Sequence, residues 1–280
     1  MPQTTTEQHI ALPPLLIVRG DDMGSSQAAN EACMRCAREG VMTSVEVMPV
    51  TPWFPQAVRL LREIPDFDVG VHLALTSEWD DMKWHPFTPC PSLVDESGCF
   101  RPVVTPHRHY VGRSHAENRW SLAEIERELR AQIELSLAML PQISHVTTHM
   151  EFRELDPSVA ALVDHLADSY GIDAAQRLRG LRPASYAGPK QTSAEKTQSF
   201  VRMVEALEPG GRYLFIDHPG LDTPELRGTG HGGYDDVAID RQGATDCLVS
   251  PSVRAALEAK SVRLCSYRTA AGHQGEHSGR

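Results

Sequence analysis

The sequence predicts an α/β fold, a (β/α) barrel-like single domain whose barrel is distorted or incomplete, with a long insertion after the third strand. Two observations predict it. Short apolar runs rich in β-branched residues alternate with amphipathic runs of helical spacing. That alternation is typical of a largely parallel sheet covered by helices. The 280 residues, of which 41% are hydrophobic, are enough for one such domain with a substantial core.

The predicted elements follow one another along the chain. Strands are predicted, in order, at residues 15–20, 42–50, 68–75, 145–150, 211–220 and 262–268. Helices are predicted, in order, at residues 28–40, 54–65, 121–140, 157–171, 193–208 and 250–260. Local signals support three of the helices: Gly40 ends the first, and Pro157 occupies the first turn of the fourth. Ser121 and Glu124 form a capping box at the start of the third.

The domain organisation is simple in this interpretation. A catalytic domain over residues 14–268 lies between a disordered leader, residues 1–13, and a disordered tail, residues 269–280. Residues 76–120 form one long irregular region with many Pro, Trp, His and Asp residues. A loop of this length inside a compact domain is usually functional when it is ordered. We therefore predict that it is a substrate-covering insertion.

Composition argues against several classes of protein. The net charge of −10 disfavours a groove for nucleic acid or binding to an anionic membrane surface. No stretch of 18 uncharged apolar residues predicts a membrane span, and the first residues lack the pattern of a signal peptide. The six cysteines are too scattered for a disulfide framework, and Cys33 and Cys36 fall within a predicted helix. We expect a protein of the reducing cytoplasm, with no nucleic acid or membrane partner.

Residues that can bind metals lie in or directly after four predicted strands. They are Asp21 and Asp22, His72, His145 and His149, and His218. Parallel strands bring their carboxyl ends to one edge of the sheet, where active sites collect. One carboxylate and two imidazoles can hold a divalent ion with open positions for water and substrate. A second carboxylate can then take a proton from the water, and another histidine can protonate the leaving group.

Each of these residues, taken alone, also has a structural explanation. Asp21 and Asp22 precede Met-Gly and could form a capped turn, and His218 precedes Pro-Gly and could belong to a turn. His72 lies between apolar residues, where a hydrogen-bonded core histidine is common. The site hypothesis therefore depends on the fold, which predicts that these residues converge.

Six sequence blocks, in the same order, resemble the YdjC/ChbG-like carbohydrate deacetylases over about residues 14–268. The blocks are "LLIVRGDDMGSSQAANEAC", "GVMTSVEVMPVTPWFPQAV", "DVGVHLALTSEW", "PSLVDESGCF", "ISHVTTHME" and "FIDHPG". The resemblance implies a barrel-like fold and metal-dependent hydrolysis of an N-acetyl group on a sugar. By position, it implies that Asp22, His72 and His149 are the metal ligands. It also implies that Asp21 is the general base and that His218 is a general acid or substrate contact.

Two departures from the family pattern concern the substrate. In "SHVTTHME", Thr147 stands where the family has an aspartate, and Glu151 stands where it has a histidine. Glu151 offers a carboxylate to the substrate, which puts the identity of the sugar in question. The residues predicted to contact substrate are Glu151, His145, Trp79 and Trp84.

The leading hypothesis is a metal-dependent hydrolase that removes an N-acetyl group from an amino sugar or short oligosaccharide by metal-activated water. One alternative keeps the metal but changes the substrate to a non-sugar amide, a cyclic imide or an ester. The other is a non-catalytic sugar- or metal-binding protein, which the presence of both aspartates and both predicted histidine ligands disfavours. The cofactor is one divalent ion, zinc or magnesium, with manganese, cobalt and nickel also compatible. A symmetric homodimer is the simplest oligomer.

Overall fold

The computed structural model describes residues 12–175, 178 and 180–272, and its sheet is parallel throughout. The strands are β1 (Leu15–Met23), β2 (Ser44–Val47), β3 (Asp68–Leu73), β4 (Ile143–Thr148), β5 (Asp173–Ala174), β6 (Leu181–Ala184), β7 (Arg212–Asp217) and β8 (Arg263–Leu264). Seven of them lie side by side in the order β5-β4-β3-β2-β1-β7-β6. β8 pairs with Leu15 and Leu16 at the start of β1, whereas β2 pairs with β1 from Arg19 onward. The sheet is therefore a half-barrel, and the predicted α/β class with an incomplete barrel is confirmed.

Helices cover the outer face of the half-barrel, except for the last one, which packs on the inner face through Tyr267. They are α1 (Gln27–Glu39), α2 (Phe54–Leu61), α3 (Leu122–Met139), α4 (Pro157–Tyr170), α5 (Ser193–Glu205), α6 (Pro224–Arg227), α7 (Val237–Leu248), α8 (Pro251–Ala259) and α9 (Tyr267–Gly272). Side-chain caps define several starts: Ser26 accepts from the Ala29 N–H, and Ser121 accepts from the Glu124 N–H. The Ser121 cap of α3 is thus confirmed, but the second half of the predicted capping box is not, because the Ser121 N–H donates to the Ser92 hydroxyl and Glu124 accepts from Ser92 instead.

The two faces of the strands differ in chemistry. Val45 and Val47 of β2 belong to the apolar core between sheet and helices, whereas Glu46 between them is buried among polar side chains. The same alternation holds in β3, where Val71 lies in the apolar core and His72 does not. Successive side chains of a strand point to opposite faces. The interior of the half-barrel is therefore lined by polar groups that the strands hold in fixed positions.

The insertion, residues 76–120, is packed although it contributes no strand to the sheet. Two carboxylates of α3 hold it from outside: Glu128 accepts from the N–H groups of Phe87 and Thr88, and Glu124 accepts from Ser92. At its other end, His115 Nε2 donates to the carbonyl of Leu75 at 2.7 Å. These bonds fix the insertion against the carboxyl edge of the sheet. Its role in covering the substrate stays a prediction.

The C-terminal region differs from the prediction. The strand predicted over residues 262–268 is reduced to Arg263–Leu264, and α9 begins at Tyr267. Residues 269–272 of the predicted disordered tail belong to this helix, because Tyr267 and Ala270 pack in a small apolar cluster with Ile17. The remainder of the tail, residues 273–280, and residues 1–11 of the predicted leader lie outside the described residues. Within the described part of the chain, no helix combines the length and hydropathy needed to cross a membrane.

Candidate active site

Four predicted site residues meet at the carboxyl edge of the half-barrel. We call Asp21, Asp22, His72 and His149 the upper cluster; all four side chains are buried. Asp22 Oδ1 lies 3.6 Å from His72 Nε2 and 3.3 Å from His149 Nδ1. Asp22, His72 and His149 each offer a ligand atom, and these three atoms lie within 4.8 Å of one another. The structure thus brings together the side chains on which the metal hypothesis depends.

A backbone irregularity allows two consecutive aspartates to face one site. Neighbouring residues of a regular strand point to opposite faces. Here the pairing of β1 with β2 shifts between Gly20 and Met23, and Asp22 has the left-handed φ of 67°. The turn is held by the N–H and hydroxyl of Ser25, which both donate to the Asp22 carbonyl. A strained non-glycine residue of this kind is typical of functional sites.

The donor set fits a divalent metal ion. Asp22 Oδ1 is buried and has no hydrogen-bond partner, which is costly for a carboxylate oxygen. It faces the two histidine nitrogens, and a cation between the three atoms would satisfy the oxygen. One carboxylate and two imidazoles suit zinc and other divalent transition metals. We conclude that Asp22, His72 and His149 are the residues that could hold a metal.

Glu78 is a residue of the site that sequence reasoning missed. It belongs to the insertion and is buried, and its Oε2 lies 3.0 Å from His149 Nε2. Burial lowers the pKa of His149, but the charges of Glu78 and Asp22 outweigh burial and raise it to about 10. By contrast, burial lowers the pKa of His72 to about 4. A carboxylate on the outer nitrogen of a metal-binding histidine commonly orients the ring, and Glu78 occupies that position.

The second oxygen of Asp22 contacts a buried arginine. Arg241 Nη2 donates to Asp22 Oδ2 at 2.7 Å, and His218 Nε2 lies 3.9 Å from the same oxygen. Burial raises the pKa of Asp22, but the charges of His218, His149 and Arg241 outweigh it and hold the pKa well below its usual range. The Asp22 side chain is therefore a carboxylate. Arg241 lies on α7, 219 residues from Asp22 along the chain, and no local signal pointed to it.

Asp21 is held differently from Asp22. Arg19 Nη2 donates to Asp21 Oδ2 at 2.8 Å, and Arg19 Nε lies 2.7 Å from Oδ1. Arg19 is itself fixed by the hydroxyl of Tyr267, which accepts from Nη1 at 3.1 Å. Asp21 Oδ2 lies 3.9 Å from His72 Nε2, beside the metal-binding atoms rather than among them. This geometry separates a possible ligand, Asp22, from a carboxylate held next to it, Asp21.

His218 lies at the accessible side of the site, directly after β7. Its side chain is 42% exposed, in contrast to the upper cluster. Its backbone N–H donates to Asp217 Oδ1 at 2.8 Å, and Asp217 Oδ2 in turn accepts from the Tyr186 hydroxyl at 2.5 Å. Lys196, which is buried, lies 3.5 Å from the same Asp217 oxygen. The loop that carries His218 is therefore anchored while its ring faces solvent near Asp22.

Glu151 lies in the turn that follows β4. Met150 and Glu151 both have left-handed φ values, 50° and 51°, and the Glu151 side chain is accessible. Burial against its surroundings raises the pKa of Glu151. It lines a cavity of about 200 Å³ between this turn and the insertion, together with Val103, Val104, Thr105, His107, Met150 and Glu154. Its predicted substrate contact fits this position and stays a prediction.

The structure differs from the prediction for His145 and for the two tryptophans. Trp79 is 3% exposed and Trp84 is 2% exposed, so neither offers an open surface to a sugar ring. The indole N–H of Trp84 donates to the Thr76 carbonyl, and the ring of Trp79 lies under the Arg241 guanidinium, 5.3 Å from it. These side chains pack the insertion and support Arg241 instead.

His145 belongs to a second group of polar residues, deeper in the half-barrel. We call Glu46, Asp68, His145 and Tyr267 the lower cluster. His145 is completely buried: its Nε2 donates to Glu46 Oε1 at 2.7 Å, and its ring packs on Tyr267 with centroids 4.1 Å apart. The predicted substrate contact through His145 therefore has no access to substrate. His149 lies one residue beyond the end of β4, and its spacing from His145 indicated that both side chains face the interior of the half-barrel, but not that His145 lies deeper.

Comparisons with known proteins show the family to which the chain belongs. A family model described as YdjC-like protein matches residues 15–259, and the chain belongs to that family. A carbohydrate deacetylase from Geobacillus stearothermophilus is 27% identical over 272 residues, 92% of this chain and 98% of the relative. A carbohydrate deacetylase from Brevibacillus brevis is 30% identical over 228 residues, 77% of this chain and 86% of the relative.

A crystal structure shows the same fold. It is of an Enterococcus faecalis V583 protein named for cellobiose-phosphate cleavage, and it superposes with a TM-score of 0.72. The two sequences are 22% identical, and the alignment covers 92% of this chain and 98% of that chain. The match supports the half-barrel architecture.

Proposed function

We propose that this protein is a metal-dependent carbohydrate deacetylase that removes the N-acetyl group from an amino sugar or a short oligosaccharide. The observation that carries the proposal is the buried Asp22 Oδ1, which has no hydrogen-bond partner and faces a ring nitrogen of His72 and one of His149. Relatives in the YdjC-like family are named carbohydrate deacetylases, and those names supply the reaction class.

Asp22, His72 and His149 would hold the ion at the carboxyl edge of the sheet. A bound divalent ion polarises a carbonyl group and lowers the pKa of water. The mixed set of one oxygen and two nitrogen ligands favours zinc, manganese, cobalt or nickel over magnesium, which prefers oxygen.

The other residues supply proton transfer. Asp21 accepts the proton of the attacking water, while Arg19 fixes the orientation of its carboxylate. The water oxygen bonds to the amide carbon, and the carbon–nitrogen bond breaks. His218 protonates the departing amine, because its ring faces solvent close to Asp22. The products are acetate and a free amino sugar.

A second candidate keeps this chemistry but changes the substrate to a non-sugar amide, a cyclic imide or an ester. The burial of Trp79 and Trp84 favours it, because aromatic side chains that stack on sugar rings must be exposed. The cavity beside Glu151 offers a carboxylate and a histidine, His107, in their place.

Acetate release tests the proposal. We would supply metal-stripped protein with zinc, magnesium or manganese, and offer N,N′-diacetylchitobiose, N-acetylglucosamine and a panel of non-sugar amides and esters. The proposal predicts metal-dependent acetate release from at least one sugar. Cleavage of a non-sugar substrate alone would favour the second candidate, and no hydrolysis with any metal would contradict both.

We also propose that the protein works in the cytoplasm. All six cysteines lie in the described part of the chain and are free thiols, five of them buried. Free buried thiols fit a reducing compartment. A homodimer stays a prediction.

A further inference from the structure

A chain of hydrogen bonds runs from the upper cluster down into the lower cluster. His72 Nδ1 lies 2.8 Å from the hydroxyl oxygen of Thr147, which lies across from it on β4. The Thr147 hydroxyl donates to Glu46 Oε2 at 2.6 Å. All three side chains are buried, at 2% exposure or less. A possible metal ligand is thus connected to a carboxylate on the neighbouring strand through one hydroxyl.

The direction of these bonds determines which nitrogen of His72 carries its proton. An ionised carboxylate only accepts hydrogen bonds, so the Thr147 proton points to Glu46. The Thr147 oxygen must then accept from His72, and Nδ1 carries the proton. In a neutral imidazole the other nitrogen, Nε2, then has a free lone pair. That nitrogen faces Asp22 Oδ1, at 3.6 Å.

The strands leave room for this arrangement at one glycine. A Cβ on Gly70 of β3 would lie 2.2 Å from Glu46 Oε2 and 2.5 Å from His145 Nε2. Both distances are too short for any side chain, so glycine is needed for Glu46 to reach Thr147. Glu46 is also held from the other side, because His145 donates to Oε1. The carboxylate is therefore fixed in place.

The geometry points to Thr147 and Glu46 as positioning residues that hold His72 with Nε2 free for a metal ion. This inference rests on the metal centre of the proposed function. In this inference the Thr147 hydroxyl connects His72 Nδ1 to Glu46 Oε2. A side chain of equal size without a hydroxyl cannot make this connection. Partners of this kind typically change metal affinity by about 10- to 100-fold when they are removed.

Zinc affinity of the metal-stripped full-length protein tests the inference without any substrate. We would compare Thr147→Val, which keeps the shape and removes the hydroxyl, with Thr147→Ser, which keeps the hydroxyl. Thr148→Val is the matched control, because Thr148 is the adjacent buried threonine and its hydroxyl has no hydrogen-bond partner. Affinity is measured by competition with a chromophoric chelator. Imidazole ¹⁵N spectra of the metal-free protein report the His72 tautomer.

We expect Thr147→Val to weaken zinc binding about 10- to 100-fold and to lose the Nδ1–H tautomer of His72. Thr147→Ser and Thr148→Val should bind zinc like the wild type. Unchanged affinity in Thr147→Val, or equal losses in all three variants, would overturn the inference. If Thr147→Val does not fold, Glu46→Gln replaces it with the same expected loss, and unchanged affinity again contradicts us. If the protein binds zinc but releases no acetate from any sugar, the deacetylase proposal fails, and Thr147→Val should still bind zinc more weakly than Thr147→Ser and Thr148→Val.

Discussion

The upper and lower clusters of the half-barrel are both buried and polar, but they differ in how their atoms are paired. In the lower cluster, both oxygens of Glu46 accept hydrogen bonds, and both oxygens of Asp68 do the same, from Ser144 and from the Tyr267 N–H. In the upper cluster, Asp21 is paired with Arg19 through both of its oxygens, whereas Asp22 Oδ1 has no hydrogen-bond partner.

This difference in hydrogen bonding indicates a structural role for the lower cluster and a functional role for the upper cluster. A fully paired buried network rigidifies the structure around it, whereas an unpaired buried carboxylate oxygen costs stability. Proteins retain such atoms where a ligand or a reaction needs them. The lower cluster therefore holds the strands and histidines in place, and the upper cluster contains the unsatisfied oxygen, on Asp22, that we propose binds the metal ion.

Removing the proton acceptor of the upper cluster should have the largest effect. Asp21→Asn keeps the size of the side chain but cannot take a proton from water. We expect kcat/KM for acetate release to fall by about 10²- to 10⁴-fold, while zinc binding stays at the wild-type level. The measurement is acetate release and metal content on the same preparations. Normal turnover in Asp21→Asn would show that another group is the base.

The carboxylate that the insertion supplies should tune the upper cluster less strongly. In Glu78→Gln the His149 ring loses its charged partner, and we expect zinc affinity to fall by about 10- to 100-fold. Glu96→Gln, another glutamate of the insertion but an exposed one, serves as control. Equal affinities for the two variants would mean that Glu78 does not orient His149.

A methyl group should break the packing of the lower cluster. Gly70→Ala places a Cβ against Glu46 and His145, and we expect the free energy of unfolding to fall by about 1–3 kcal/mol. Urea unfolding of the metal-free protein measures it. Gly228→Ala is the control, because its φ of −81° suits alanine and the nearest atom lies 3.3 Å away. A Gly70→Ala protein as stable as the control would show that the lower cluster is loosely packed.

His115 tests whether a buried ring nitrogen without a hydrogen-bond partner is enough to make a metal site. Its Nδ1 is buried without a partner, but among the described residues His115 belongs to no group of three or more possible metal ligands. Burial lowers the pKa of His115 from 6.5 to about 4, so the unfolded chain binds the proton more readily between these values. The contribution of His115 to the free energy of unfolding is therefore complete above pH 6.5 and is lost as the pH falls toward 4.

Between pH 7 and pH 5.5, His115 should cost the wild type about 1 kcal/mol of stability. Unfolding titrations at the two pH values measure this loss in the free energy of unfolding. The loss should be about 1 kcal/mol smaller in His115→Gln than in the wild type, because glutamine does not titrate but still offers a donor to the Leu75 carbonyl. Zinc affinity should not change. An equal loss of stability in both proteins would contradict the assigned pKa, and weaker zinc binding would place His115 in the metal centre.

Much of the fold could be predicted because its signals are local. Six helices and most of the sheet follow from hydrophobic periodicity and capping residues. β5 has only two residues, and β6, with the sequence LRPA, is largely exposed and contains a proline, so neither shows the pattern of a strand. α7 was missed because its sequence is weakly amphipathic and contains Gly243. The end of the chain forms a helix where the sequence predicts a strand, because Tyr267 is held by a tertiary contact, the hydrogen bond that its hydroxyl accepts from Arg19.

The candidate site was predictable as far as its residues end strands. Asp21, Asp22, His72 and His149 converge because parallel strands share an edge. Their partners could not be predicted from the sequence: Glu46 resembles any polar residue of a strand, Glu78 lies in an irregular segment, and Arg241 is distant in the chain. His145 shares the face of His149 but lies lower, and periodicity does not report depth.

Zinc binding to the metal-stripped protein tests the central claim most directly. We would measure it by equilibrium dialysis for the wild type, for Asp22→Asn and for Asp222→Asn, a partly exposed aspartate that is paired with Arg227. The upper cluster as a metal centre predicts one tightly bound zinc ion in the wild type and in Asp222→Asn, and none in Asp22→Asn. A wild type without stoichiometric zinc, manganese or cobalt, or an Asp22→Asn protein that binds zinc as tightly, would contradict it.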